Sequence, residues 1–533
     1  MSVRDGQSAT DAILFWNEVA LDAHRRDFTF TDDDGEDETD AAADRRGLHP
    51  EHAGMTATSR ILAMVHLAIY EAWHAALPTA GVLYLHHRHP EIGASPDAAV
   101  AGAALAVLSS FYGRQGDRLE SKCREHFGML GDAGVSAAAI ASGYHHGRAV
   151  GLAVIGARKD DGAAVTGSYA SGDAPGLSRP DPFDPVPPPA VAWGAVRPFG
   201  IDTLAALCRT MKAPWGVREP GGFLSSDAYL QDLAEVASVG AAAPAAGRSA
   251  EQTAIGLFWA YDGARNIGTA PRLYNQCVRA ISERCGLEPG RNALLFALVN
   301  MAMADAAIAA WFGKYRFRVW RPIHGVREAG IGWGFSDPPV GPAGATEPLT
   351  ADIGTWLARP RREASTHVRD GWHADPFWRP FGLAGTNAPG RYHRSPPSPA
   401  YPSGHSTIGT ACFDVVFRFL RLSGMTAVAA RQLSFTVVSD EFSGQARDAA
   451  GYLRPRHSRR LTLGQAVREN ALARLYLGVN WRAAAVEGVR LGFAVAAELA
   501  SAGRGPAASL VGSSAVDALL PTQGFAVDGL VSS

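Results

Sequence analysis

Apolar residues recur at three- and four-residue intervals over most of this chain. The spacing predicts amphipathic helices over 11–26 and 56–77 and helical structure through the Ala-rich 95–157. Further helices are predicted over 251–264, 272–285, 291–313, 406–424 and 464–478. Few segments alternate at period two, so sheet is expected to be minor and the fold class all-α. Eight prolines between Pro175 and Pro198 interrupt the pattern, and no helix or central strand accommodates them. That segment reads as a surface strap or an interdomain connection. A low-complexity break follows at 238–249, and a Gly/Pro-rich stretch over 331–404 is long enough to suggest a functional loop. The expected organisation is an N-terminal helical part (1–240), a C-terminal helical bundle (250–500) and a fraying tail (501–533) rich in Ser, Gly and Ala.

Composition narrows the classes. The 533 residues are 47% hydrophobic and 19% charged, which supplies a large core and excludes general disorder. Fifty Lys+Arg against 52 Asp+Glu leaves a net charge of −2, so no general basic field draws the chain to nucleic acid or anionic lipid. The acidic run at 32–46 reads as a solvated loop. Five cysteines without CxxC spacing fit scattered core thiols in a reducing compartment, and no metal site is expected from them. The apolar run near the N-terminus is broken by Asn17 and Glu18 and lacks a signal-peptide core. The apolar stretch 293–312 carries Asn300 and Asp305, and so reads as a buried core helix, not a membrane span. A cytoplasmic protein is the expectation.

Three segments beyond residue 310 carry candidate chemistry. The first runs from Lys314 to Pro322 and, with Arg327, places five cations within fourteen residues of a near-neutral protein. Phe317, Val319 and Trp320 interleave with them, so some cations must point inward and need an anion. The second, Ala400-Tyr-Pro-Ser403-Gly404-His405, ends the long loop and opens a helix, where N–H groups favour an anion and Gly404 permits close backbone approach. Read alone, Ser-Gly-His is equally a helix cap. The third runs from Glu469 to Arg482 and contains Arg474 and Asn480; Arg474 alone would be an ordinary helix charge.

Taken together, the spacing K-x6-R-P, then P-S-G-H, then R-x5 resembles the vanadium-dependent haloperoxidases and the related type 2 phosphatidic acid phosphatases. It is similar to the chloroperoxidase branch in particular. The likeness extends over roughly 250–495 and includes Phe258-Trp-Ala-Tyr-Asp262-Gly and Gly478-Val-Asn-Trp-Arg482. It implies a fold of two four-helix bundles with an oxyanion pocket in the C-terminal one. It also implies that Lys314, Arg321, Ser403, Gly404 and Arg474 bind the oxyanion. His405 would be the acid–base residue, and Asp262 the carboxylate that orients Arg474. One Lys and two Arg suit tetrahedral oxygens because their bonds are charge-assisted. The family's bacterial members suggest a homodimer.

The sequence departs from the family at its last position. Six residues after Arg474 the family has a histidine, the vanadium ligand or phosphoryl-accepting nucleophile; here it is Asn480. An amide nitrogen has its lone pair delocalised and serves as neither. Ala473 likewise stands in place of the usual serine. His324, His367, His373 and His393 lie in the region and read as ordinary loop histidines. The remaining pocket can polarise a carbonyl and move a proton without redox chemistry. The resemblance extends to haloperoxidase homologues of bacterial naphthoquinone meroterpenoid pathways of the napyradiomycin type, which include an isomerase that shifts a prenyl group in an α-hydroxyketone. Three readings follow. One is a cofactor-independent isomerase of a prenylated aromatic substrate, the second a vanadate-dependent chloroperoxidase, and the third a non-catalytic anion-binding relic. Phosphate or sulfate is an expected occupant of the pocket in any of them. A lipid phosphatase lacks both its nucleophile and its membrane spans.

Overall fold

The computed structural model describes residues 11–29, 50–77, 82–85, 93–172, 174–242, 247–328, 375, 377–388, 390–502, 504–510 and 519. The acidic run 32–46, most of the loop 331–404 with His367 and His373, and most of the tail lie outside the described residues.

The helices are α1 (Ala12–Asp27), α2 (Met55–Ala75), α3 (Pro96–Phe111), α4 (Gly116–Asp132), α5 (Ala137–Arg158), α6 (Leu204–Arg209), α7 (Asp227–Val239) and α8 (Ala250–Phe258). After them come α9 (Ala270–Cys285), α10 (Pro289–Phe317), α11 (Pro322–Glu328), α12 (Gly404–Leu422), α13 (Ala427–Gln432), α14 (Leu463–Tyr476) and α15 (Arg482–Ala502). Two small antiparallel ribbons complete the fold: β1 (Asp262–Ala264) with β2 (Gly268–Thr269), and β3 (Ser434–Val438) with β4 (Ser458–Thr462). The all-α expectation therefore holds for the fold as a whole.

The helix predicted over 251–264 is shorter than its apolar pattern. A capping box of Ser249 and Gln252 starts α8, but the helix stops at Phe258. Tyr261 adopts φ +38°, a left-handed conformation that no helix contains and that is strained for a bulky residue. The chain then enters β1 at Asp262. Tyr261 is fixed there because its hydroxyl donates to Gln276 Oε1 (2.9 Å) and accepts from the Asp440 amide (2.8 Å).

Helix α10 lies between α2 on one side and α12 and α15 on the other, and almost all of it is buried. Its two polar residues have protein partners. Asn300 exchanges two 3.0 Å hydrogen bonds with Asn275, and Asp305 accepts from the amides of Phe199 and Gly200 at 2.6 and 2.9 Å. Asp305 thereby ties the end of the proline-rich strap to the core. The strap also accepts from Tyr315 at Pro189 O (2.5 Å) and donates from Ser178 N to Arg318 O (2.7 Å). It wraps the C-terminal end of α10, where the first cationic motif begins.

A second buried cluster lies under that motif: Tyr229, Val319, Trp320, Ile323, Trp378, Tyr401, Leu475 and Trp481. Each buried indole contributes on the order of 4–6 kcal/mol as an upper limit from area removed from water. That is the scale needed to offset burying charged groups beside it, several kcal/mol per ion.

Two expected outcomes follow from the packing. Gly478 has φ +69°, and a Cβ there would lie 2.3 Å from the Gly240 carbonyl oxygen, which is backbone and cannot swing aside. Gly478→Ala should lower unfolding free energy by about 1–3 kcal/mol from backbone strain, with overpacking added, as a shift of the urea midpoint. Acid sensitivity should come from His24 and His66. His24 Nε2 accepts from the Thr269 amide (3.0 Å), and His66 Nε2 lies 2.9 Å from Asn17 Nδ2. Both rings are fully buried, and burial foremost, with Arg272 near His24 and Arg279 near His66, lowers each pKa to about 3. A depressed histidine pKa contributes stability that is present above 6.5 and is lost as pH falls towards about 3. Denaturant midpoints should therefore fall through that window, and less steeply in His66→Gln.

Candidate active site

The site forms where α10, α12 and α14 meet the returning loops. Arg318 ends α10 in a left-handed conformation (φ +55°), its amide donating to Lys314 O (2.9 Å). Val319 then pairs with Leu177, and Arg321 comes to share the Pro399 carbonyl with Lys314. Trp481 Nε1 donates to Trp320 O at 2.7 Å. That one bond joins the residue before Arg321 to the residue after Asn480, and so fastens the first motif to the third.

Of the five clustered cations, Lys314 and Arg321 are buried, Arg316 is exposed, and Arg318 and Arg327 are half-buried. Lys314 Nζ donates to Pro399 O (2.7 Å). Arg321 Nε donates to Ser398 O (2.8 Å), Nη1 to Val479 O (2.7 Å) and to Asn480 Oδ1, and Nη2 to Ser398 Oγ (3.2 Å) and Pro399 O (3.4 Å). All five donors of the guanidinium thus have protein acceptors. Arg474 Nη1 lies 2.7 Å from Asp262 Oδ1, the pairing implied by the sequence resemblance. Asp262 Oδ2 is buried and accepts no hydrogen bond among the described residues.

His405 is buried near the start of α12. Its Nε2 lies 2.8 Å from Ala260 O. A carbonyl only accepts, so Nε2 carries the proton and Nδ1 is the basic nitrogen of the neutral ring. The backbone oxygen of His405 accepts from Asn470 Nδ2 (2.8 Å) and Tyr274 Oη (3.2 Å), which fixes the top of α12 against α9 and α14.

Ser403 and Gly404 form the start of α12. Ser403 Oγ accepts from Ser406 N (3.3 Å) as the N-cap, and the Ser403 amide donates to Ala484 O (2.9 Å). A Cβ on Gly404 would lie 3.0 Å from the Trp311 ring and 3.2 Å from Met55 Sδ, so the glycine also admits those side chains. The cap reading of Ser-Gly-His is thus realised, and an N-cap and an anion site can share one helix start. Of the other histidines, His324 lies on α11 and not in a loop, with Nε2 3.3 Å from Arg179 O; His393 contacts the carbonyls of Pro380 and Phe381. Neither enters the site.

Arg474 acts on the titration of both Lys314 and Arg321. Burial, then Arg321 and Arg474, hold the Lys314 pKa well below the ordinary lysine range. Burial and then Arg474 bring Arg321 down to about 9, against the opposing pull of Asp262. Burial, Arg474, Lys314 and Arg321 also keep His405 neutral, well below the usual histidine value, with the Ala260 bond opposing them. Asp262 is raised by burial, and Arg474 opposes the rise.

This donor set suits an oxyanion by charge, because cations that repel one another gain most from a shared anion. It does not suit a vanadium–nitrogen bond. At the position six residues past Arg474, Asn480 turns its oxygen onto Arg321 and offers no ring nitrogen. Backbone carbonyls of Ala260, Ser398, Pro399 and Val479 are the partners that motif reading missed. Trp481, Trp320 and Asn470 lay inside the motifs and were open to notice.

The free site keeps Lys314 and His405 below their ordinary pKa values, and a bound anion raises both. Sulfate binding near neutral pH should therefore take up protons, seen as a dependence of calorimetric heat on the ionisation heat of the buffer. Binding with no proton uptake would mean that Lys314 is already charged in the free pocket.

The family model described as the VCPO second helical-bundle domain matches residues 294–504, which include every cation of the pocket. The vanadium chloroperoxidase of Curvularia inaequalis is 30% identical over 538 residues, covering 89% of this chain and 79% of that protein. A bacterial vanadium-dependent iodoperoxidase has a similar fold at TM-score 0.60 and 19% identity, covering 91% of this chain and 96% of its own. A holo-type bacterial vanadium-dependent chloroperoxidase gives 0.58 and 15%, covering 89% and 96%. With 30% identity to the Curvularia enzyme sustained over most of both chains, this chain belongs to the vanadium haloperoxidase family.

Proposed function

We propose that this chain is a haloperoxidase-fold enzyme that works without a vanadium–nitrogen bond, as an isomerase of an α-hydroxyketone carried on a prenylated aromatic substrate. The observation that carries this reading is the hydrogen bond from Arg321 to Asn480 Oδ1. It sets an acceptor against Arg321 at the position, six residues past Arg474, where the sequence resemblance implies a metal-binding imidazole.

The chemistry then rests on His405 and the cations. His405 Nδ1 takes the hydroxyl proton of the substrate. The O–H electron pair forms a new C=O as the migrating prenyl group leaves with its bonding pair. That pair forms a bond to the neighbouring carbonyl carbon, and the carbonyl π electrons pass to its oxygen. Lys314 and Arg474 stabilise the resulting alkoxide, which the imidazolium reprotonates. No electron leaves the substrate, so no oxidant is required. A neutral His405 is what a general base needs, and removing such a base typically costs 10²–10⁴-fold in rate.

A second reading, vanadate-dependent halogenation, is favoured by the retention of Lys314, Arg321, His405 and Arg474 in a relative of a vanadium chloroperoxidase. Vanadate and peroxide added in a monochlorodimedone assay separate the two. The isomerase reading expects negligible halogenation and no stoichiometric vanadium after gel filtration. It also expects His405→Ala to lower turnover of a prenylated hydroxynaphthoquinone-type substrate by about 10²–10⁴-fold with the fold intact, and Asn480→Ala to lower it less. One retained equivalent of vanadium with halogenation by the unaltered chain would establish the second reading. Asn480→His tests whether the ligand alone separates the chemistries. Loss of turnover in Asn480→Ala but not in His405→Ala would overturn the assigned roles.

A further inference from the structure

A cleft of about 540 Å3 opens where the turn after β1, the start of α9 and the loop after β3 meet. None of the active-site residues lines it. Its wall includes Arg25, Arg265, Arg272 and Arg447, together with Asn266 and Asp440. Four guanidiniums thus share the wall with one carboxylate, and that carboxylate is engaged. Arg272 Nη1 donates to Asp440 Oδ2, which also accepts from Gln276 Nε2 at 3.2 Å. Arg25 donates to Asp22 Oδ1 behind the wall and to Asn266 Oδ1 (3.0 Å), and Arg447, at the exposed rim, donates to Gly451 O (2.9 Å). Hydrogen bonds therefore orient Arg25, Arg272 and Arg447 in the wall, in a protein whose net charge is −2.

We propose that this cleft is a second anion site, distinct from the oxyanion pocket, that takes a multiply charged oxyanion of the phosphate or diphosphate class. Guanidinium forks match the paired oxygens of such a group, and several around one cavity favour a dianion over a monoanion. The volume falls within the range of small-molecule sites, about 300–1,000 Å3. The inference stands on the cleft alone and survives whichever reading of the active site holds.

Isothermal titration calorimetry with inorganic pyrophosphate tests it, on the full chain and on Arg447→Glu, whose exposed position leaves folding intact. The expected result is two binding events. Charge reversal at Arg447 weakens one of them about tenfold or more, and Lys314→Ala weakens the other. Arg265→Glu, a second variant, should act on the Arg447-sensitive event. A nucleoside diphosphate in place of pyrophosphate tells the source of the phosphate: tighter binding at the cleft identifies an ester, and equal or weaker binding the free anion. A single event, lost in Lys314→Ala and unchanged in Arg447→Glu, would overturn the proposal, as would no binding at all.

Discussion

Three cations held within reach of one another, each almost fully buried, are the constraint on which the rest of the site depends. Lys314, Arg321 and Arg474 are 2%, 4% and 2% exposed, and among the described residues Asp262 is the one carboxylate that pairs with any of them. Burying an ion costs several kcal/mol even after relaxation, so the fold must supply compensation from elsewhere. It does so with carbonyl dipoles. Pro399, Ser398 and Val479 turn their oxygens inward onto Lys314 and Arg321. Those carbonyls belong to irregular segments, because a helix or strand would already have engaged them. The Pro-rich approach to α12 is therefore part of the electrostatics of the pocket, not a passive connection.

The same demand explains the segment from Phe258 to Asp262. Within five residues it caps α8, holds His405 through Ala260 O, braces Tyr261 against Asp440, and pairs Asp262 with Arg474. Ser439 Oγ adds a 2.8 Å bond to Phe258 O. A regular helix through this stretch would point only one of these groups at the site. The left-handed Tyr261 breaks the helix and lets consecutive residues serve different partners, at a strain of order 1–3 kcal/mol that the surrounding bonds outweigh.

Legibility in the sequence followed the kind of interaction. Helix periodicity reported burial, so α1, α2, α9, α10 and α12 were visible to within a few residues. Motif spacing marked Lys314, Arg321, His405, Arg474, Asn480 and Asp262, because their chemistry resides in side chains. The early stop of α8 was hidden, since Trp259, Ala260 and Tyr261 are apolar and continue the pattern while tertiary hydrogen bonds set their backbone. The carbonyl partners were hidden for a simpler reason: every residue has a carbonyl, and no residue type announces its direction. Ser403 and Gly404 were ambiguous because an N-cap and an anion site use the same residues.

Asn480 acquires its meaning from this electrostatic setting. An asparagine placed there by drift would leave the three cations to repel one another around a void. Instead its amide oxygen sits on Arg321, beside Val479 O on the same nitrogen. A carbonyl dipole so placed supplies part of the negative potential that an anion would bring. That dipole, with the Val479 carbonyl, holds the orientation of the arginine. Fixed dipoles facing fixed cations are also what a reacting oxygen requires, because donors already in place need no reorganisation as charge develops. With Asn480 Oδ1 and Val479 O on one nitrogen, the Arg321 guanidinium is held in one orientation by dipoles the chain itself supplies.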